Sequence, residues 1–85
     1  MPTPYQVFYG EIPTILRGGP KTHREIAQEI QDRFPEYCDD SILCPHVNDT
    51  SNHPEWDHHA RNAEQALKRN GIIKYNYSLR VWELA

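Results

Sequence analysis

The chain has too little of several things to be a membrane protein, a disulfide scaffold or a self-sufficient catalyst. No apolar run approaches the roughly 20 residues that a spanning helix needs, and no signal peptide opens the sequence. A soluble, cytoplasmic protein is therefore expected, with no membrane partner. The two cysteines, Cys38 and Cys44, allow one bridge at most, and without secretory context free thiols are expected. Only four glycines occur. None sits in a phosphate-cradling loop, and no Ser/His/Asp grouping forms a triad, so no catalytic residue and no cofactor are expected in this chain. Low-complexity segments are absent and charged residues make up 25% of the chain. With 85 residues, one folded domain spanning 1–85 with a modest core is expected.

What is present is unevenly charged. The net charge is −3, which by itself argues against nucleic acid. From Glu25 to Asp57, however, nine acids face Arg33 alone, a local −8, whereas from His58 to Trp82 five bases (Arg61, Lys68, Arg69, Lys74, Arg80) face Glu64 alone, a local +4. A basic C-terminal third lies beside an acidic middle. Such a flank weakens non-specific phosphate attraction, so specific contacts must carry more of any affinity for DNA.

The hydrophobic spacing gives three helices and a hairpin. Val7, Phe8, Ile12, Ile15 and Leu16 place a first helix over residues 4–17, with Pro13 kinking it or opening a second segment. Gly18-Gly19-Pro20 stops it. Thr22 and Glu25 form a capping box for a second helix that runs to about Phe34, with Ile26, Ala27, Ile30 and Phe34 on one stripe. Residues 35–53 form a long insertion, with a helical turn expected near Asp40–Leu43. The third helix is expected from Pro54 to Asn70, capped by Ser51 or Asn52 and stopped by Gly71. Trp56, Ala60, Ala63 and Leu67 are its buried stripe, the alanines allowing close packing on the second helix. Strands Ile72–Asn76 and Leu79–Leu84 then flank a Tyr77-Ser78 turn, with Ile73, Leu79, Val81 and Leu84 as core-side candidates. The fold class expected is α+β: a winged helix-turn-helix of three helices and a C-terminal β-hairpin wing, with the insertion before the third helix.

The outer face of the third helix carries residue types that read base edges. Arginine matches guanine, and asparagine or glutamine matches adenine, because each forked group meets two base atoms at once. Arg61, Asn62 and Gln65 lie within about one turn of one another, although most such faces are merely solvated. Lys74, Tyr77 and Arg80 on the wing, and Lys21, Thr22 and His23 at the start of the second helix, are candidate backbone and phosphate contacts. His58 and His53 join them as contacts around the third-helix start. Trp56 is first a core anchor and second an aromatic wall for a base or its methyl group. Cys38, Cys44, His46, His53, His58 and His59 invite a zinc reading, but C-x5-C-x-H is not ligand spacing, so no metal is expected. Asp57-His58-His59 with Asn62 lacks the hairpin frame of a His-Asn-His nuclease.

The spacing W-x4-R-x5-L-x3-G-I-I, here Trp56, Arg61, Leu67, Gly71, Ile72 and Ile73, with the later Trp82-Glu83-Leu84, resembles the winged-helix domains of restriction endonucleases. The N-terminal domain of Mrr-type enzymes and the winged helices attached to nucleases that cut N6-methyladenine DNA carry this pattern. The segment Ile12–Pro20 with Thr22 also fits, so the likeness covers roughly residues 5–84. It implies sequence-dependent, N6-methyladenine-dependent binding of double-stranded DNA, as the specificity module of a modification-dependent restriction enzyme whose nuclease domain lies outside this chain. Arg61 and Trp56 match the family's arginine and helix-start tryptophan. A methyl reader would use Trp56 with Asn52, Asn62 or Gln65. The acidic, cysteine-containing insertion departs from the pattern. The rival expectation is a winged helix that binds protein rather than DNA.

Overall fold

A computed structural model describes residues 3–39 and 55–85. The expected turn near Asp40–Leu43, the cap at Ser51 or Asn52, and Cys44, His46, His53 and Pro54 lie outside the described residues.

The order is α1 (Pro4–Leu16), α2 (His23–Arg33), a 3-10 turn (Pro35–Tyr37), α3 (Glu55–Arg69), β1 (Ile73–Asn76) and β2 (Val81–Leu84). This is an α+β arrangement with a winged-helix layout. Thr3 starts α1 through a capping box with Gln6, and Pro4 occupies the first turn, where no N–H is needed. No second segment opens at Pro13: one helix runs from Pro4 to Leu16 with Pro13 inside it. Its two buried turns, Phe8 with Ile12 and Ile15 with Leu16, hold it against the rest of the core, which outweighs one missing backbone bond. Gly19, at φ 125°, turns the chain out of α1.

Thr22 and Glu25 form the expected capping box: the Thr22 N–H donates to Glu25 Oε1 and the Glu25 N–H to Thr22 Oγ1. Ile26 and Ile30 are the buried stripe of α2, which ends at Arg33 ahead of Pro35. α3 ends in a Schellman motif. Gly71, at φ 74°, lets its own N–H reach the Lys68 carbonyl while the Ile72 N–H reaches that of Leu67.

Two expectations about packing are corrected. α3, with its alanine stripe, packs mainly on α1, not on α2; small side chains let the two helices approach closely, in a core shared with Phe8 and Ile12. The hairpin turn spans four residues rather than two. Asn76 Oδ1 accepts from the N–H groups of Ser78 and Leu79, and Arg80 adopts φ 56°, so β2 starts at Val81. That shift changes which residues face inward. Leu79 is 69% exposed on the turn, Val81 is half-buried, and Leu84 lies at the open end opposite Ile73; the inward face is Ile73, Tyr75 and Trp82, with Tyr75 paired to Trp82. The hairpin gains a third partner that the sequence did not announce. Lys21 and Trp82 exchange both backbone bonds, at 2.9 and 2.7 Å, tying the wing to the segment between α1 and α2. Among the described residues, no helix is long and apolar enough to cross a membrane.

Candidate nucleic-acid interface

The amphipathic character of α3 decides what it can present. With Trp56, Ala60, Ala63 and Leu67 turned inward, Arg61, Asn62, Gln65, Lys68 and Arg69 project outward. Across from them stands the hairpin. Between α3, the start of α2 and the hairpin lies an open cleft of about 380 Å³, lined by Arg61, Gln65 and Lys68 on one side, by Tyr75, Tyr77 and Trp82 on the other, and by His23 and Glu64. The three rings stack edge to face, Tyr75 standing 4.9 Å from both Tyr77 and Trp82. Tyr77 is 72% exposed. Lys68 crosses to it, its Nζ donating to the Tyr77 hydroxyl at 3.0 Å. Cations, an amide and exposed aromatic edges therefore share one surface, the chemistry that serves phosphates and base edges.

Of the residues singled out from the sequence, the cleft brings together His23, Arg61, Gln65 and Tyr77, with both ring nitrogens of His23 already committed to carboxylates. Asn62 is exposed on the same helix, and Lys74 and Arg80 are exposed on the wing, Lys74 standing 3.8 Å from Glu83. His58 is half-buried on α3. Lys21 and Thr22 are partly engaged already: the Lys21 backbone is paired with Trp82, and Thr22 is spent on its capping box. Trp56 is 8% exposed and belongs to the core. Asn52 and His53 lie outside the described residues. Cys38 is buried in the core, and among the described residues no group of three or more His, Cys, Asp or Glu is arranged to hold a metal ion.

The sequence reading missed the ionic chain behind this surface. Glu64, the lone acid of the basic third, is only 2% exposed. Its carboxylate receives His23 Nδ1 at 2.8 and 2.9 Å, while His23 Nε2 donates to Asp57 Oδ1 at 2.7 Å. The other oxygen of Asp57 accepts from Arg61 Nε at 3.1 Å. Both ring nitrogens of His23 thus face carboxylates, an arrangement that only the doubly protonated ring satisfies. Burial opposes that charge, but the hydrogen bonds and charges of Asp57 and Glu64 outweigh it and raise the His23 pKa from 6.5 to about 9. Burial likewise opposes ionisation of Asp57, but His23 and then Arg61 hold its pKa down at about 2. With both nitrogens donating, His23 has no lone pair with which to act as a base. The signal in the sequence was the seven-residue spacing of Asp57 and Glu64, which puts two acids on one flank of α3 beside the alanine stripe.

No family model, curated protein or solved structure matches this chain.

Proposed function

We propose that the chain binds double-stranded DNA, with α3 in the major groove and the hairpin against the backbone, as the specificity module of a cytoplasmic restriction endonuclease whose nuclease domain lies outside it. The observation that carries this reading is the outward face of α3. Arg61, Asn62 and Gln65 stand exposed within about a turn of one another, beside a wing that offers Tyr77, Lys74 and Arg80. Base-reading groups and a backbone-contacting wing on one side of a winged-helix layout are the parts that groove recognition requires.

Preference for N6-methyladenine is part of the proposal, with a changed cast. Trp56 sits in the core, so the apolar contact for the methyl falls to Tyr77 and Tyr75 across the cleft, with Gln65 serving N7 and the remaining N6 hydrogen. One buried methyl contributes only about 0.8 kcal/mol, so the preference is modest, on the order of tenfold for a fully methylated palindrome.

Selection from a pool of random-sequence duplexes, followed by titration, tests the reading. Arg61→Ala is expected to weaken the selected duplex by about 1–3 kcal/mol and a scrambled one far less. Equal weakening of both makes Arg61 a phosphate contact. Log affinity should fall linearly with log salt. Failure to select any duplex leaves the protein-binding reading, which the net charge of −3 favours. Unmethylated, hemimethylated and fully methylated forms of the selected duplex test methyl reading; equal affinity for all three removes it and leaves DNA binding intact.

A further inference from the structure

An exposed arginine on a helix is a poor reader by itself. Its long side chain samples many rotamers, and ordering them on binding offsets what the base contact contributes. A simple Asp–Arg pair four residues apart in water does little to prevent this. The pair on α3 is not simple. Asp57 is mostly shielded, at 14% side-chain exposure, whereas Arg61 is open at 62%. Asp57 is also held from behind, because its second oxygen is fixed by His23, which is fixed in turn by the buried carboxylate of Glu64. The chain Glu64–His23–Asp57–Arg61 runs from the interior to the surface and alternates in charge.

We propose that Asp57, seated by His23 and Glu64, is the positioning residue that aims Arg61 at a guanine, taking its Nε and leaving both Nη groups for the base. The inference rests on the DNA-binding reading and specifies its chemistry. A guanidinium has five N–H donors in a fixed fork. Asp57 uses the one on Nε, and the outward pair matches O6 and N7 of guanine. The same seat explains how an acid is tolerated on a DNA-facing helix. The positive His23 offsets Asp57, and the four-residue chain carries no net charge at neutral pH, so it adds no repulsion toward phosphates. The buried Glu64 then has a purpose that packing alone does not give it: it fixes His23, and through it Asp57.

A mutant cycle with the random-duplex pool as probe tests this. Wild type, Asp57→Asn, Arg61→Ala and the double variant are compared at a temperature where melting curves show all four folded. Wild type should enrich guanine at one position or more, and Arg61→Ala should lose that enrichment. Asp57→Asn should reduce discrimination there by roughly tenfold, while its affinity for a scrambled duplex holds or rises because a negative charge has gone. That pairing of losses and gains is not what mere unfolding produces. In the Arg61→Ala background, Asp57→Asn should cost no further discrimination. Asp57→Glu, which keeps a carboxylate on the same flank, is the second variant and should recover much of the loss. Discrimination unchanged by Asp57→Asn, an equal further loss in the double variant, or no recovery with glutamate would each overturn the proposal while leaving DNA binding in place. Selection of no duplex by wild type overturns both.

Discussion

α3 has two joints, and they are built from opposite materials. Against α1 it presents an apolar seam, with Ala60, Ala63, Leu67 and Trp56 in one core cluster with Phe8 and Ile12. Toward the start of α2 it presents Asp57 and Glu64, which grip His23. The first kind of joint is strong, and little in it is tied to one partner. The second contributes less net stability, because taking charges from water offsets much of what their attraction returns. It does fix a direction: His23 has one place to sit, and Asp57 is held where Arg61 can reach it. Packing holds the helix, and the ionic joint sets how its outer face is presented.

The seam should be the more sensitive of the two. Trp56→Ala is expected to cost about 3–5 kcal/mol, a large share of the roughly 5–15 kcal/mol typical of a whole domain. Chemical denaturation measures it directly. A loss under about 1 kcal/mol would mean that the tryptophan is not core, and would restore it as a base contact.

The ionic joint should break more gently and then mend without charge. Glu64→Ala leaves His23 with one partner and is expected to cost about 2 kcal/mol, less than for a fully buried pair because His23 keeps some water. Replacing both ends, His23→Leu with Glu64→Met, should recover much of that loss, short of what Asp57 forfeits when Arg61 is left as its partner. If the double replacement is less stable than Glu64→Ala, the joint stabilises the fold more than this comparison allows.

Protonation reads the same joint without a mutation. The folded pKa of His23 lies above its ordinary 6.5, so its contribution is complete below that value and is lost as pH rises toward about 9. The folded pKa of Asp57 lies below its ordinary 3.8, so its contribution is complete above that value and is lost as pH falls toward about 2. The joint is therefore strongest between about pH 4 and 6.5. Melting temperature should decline from neutral to pH 9 in the wild type and decline less in His23→Leu/Glu64→Met. Parallel declines would remove His23 as the cause.

The smallest effect has the opposite sign and lies outside both joints. Arg80 holds a left-handed backbone, φ 56°, that costs an ordinary residue about 1 kcal/mol. Arg80→Gly should stabilise the fold by up to that amount and weaken the proposed DNA binding by removing a wing cation. A destabilised Arg80→Gly would show that the side chain, not the backbone, sets the turn.

Sequence showed what neighbours in the chain decide. The capping boxes at Thr3 and Thr22 and the stop at Gly71 are local, and only the last two were read. The inward stripe of α3 followed from its period. What it packs against did not, since α1 and α2 offered similar apolar faces. The phase of β2 was misread because one side chain, Asn76, and one backbone angle, at Arg80, lengthen the turn by two residues, and alternation then carries the error to Leu79 and Val81. On the site, Arg61, Gln65 and Tyr77 were legible by residue type. The seat behind Arg61 was not, because His23 meets Asp57 and Glu64 only after α2 and α3 have been brought together.

The bridge between Lys21 and Trp82 bears on the order of events in time. It joins segments far apart in sequence, and closing so long a loop costs entropy before any contact repays it. Helices with local caps have no such delay. The wing and the α1–α3 seam both wait on such a closure, since Ile73 and Trp82 share one core with Phe8 and Ile12. Contacts made after the rate-limiting step govern how fast a fold is lost rather than how fast it is gained. Lys21→Pro removes one of the two donors, and if it speeds unfolding without slowing folding the bridge is a latch of that kind.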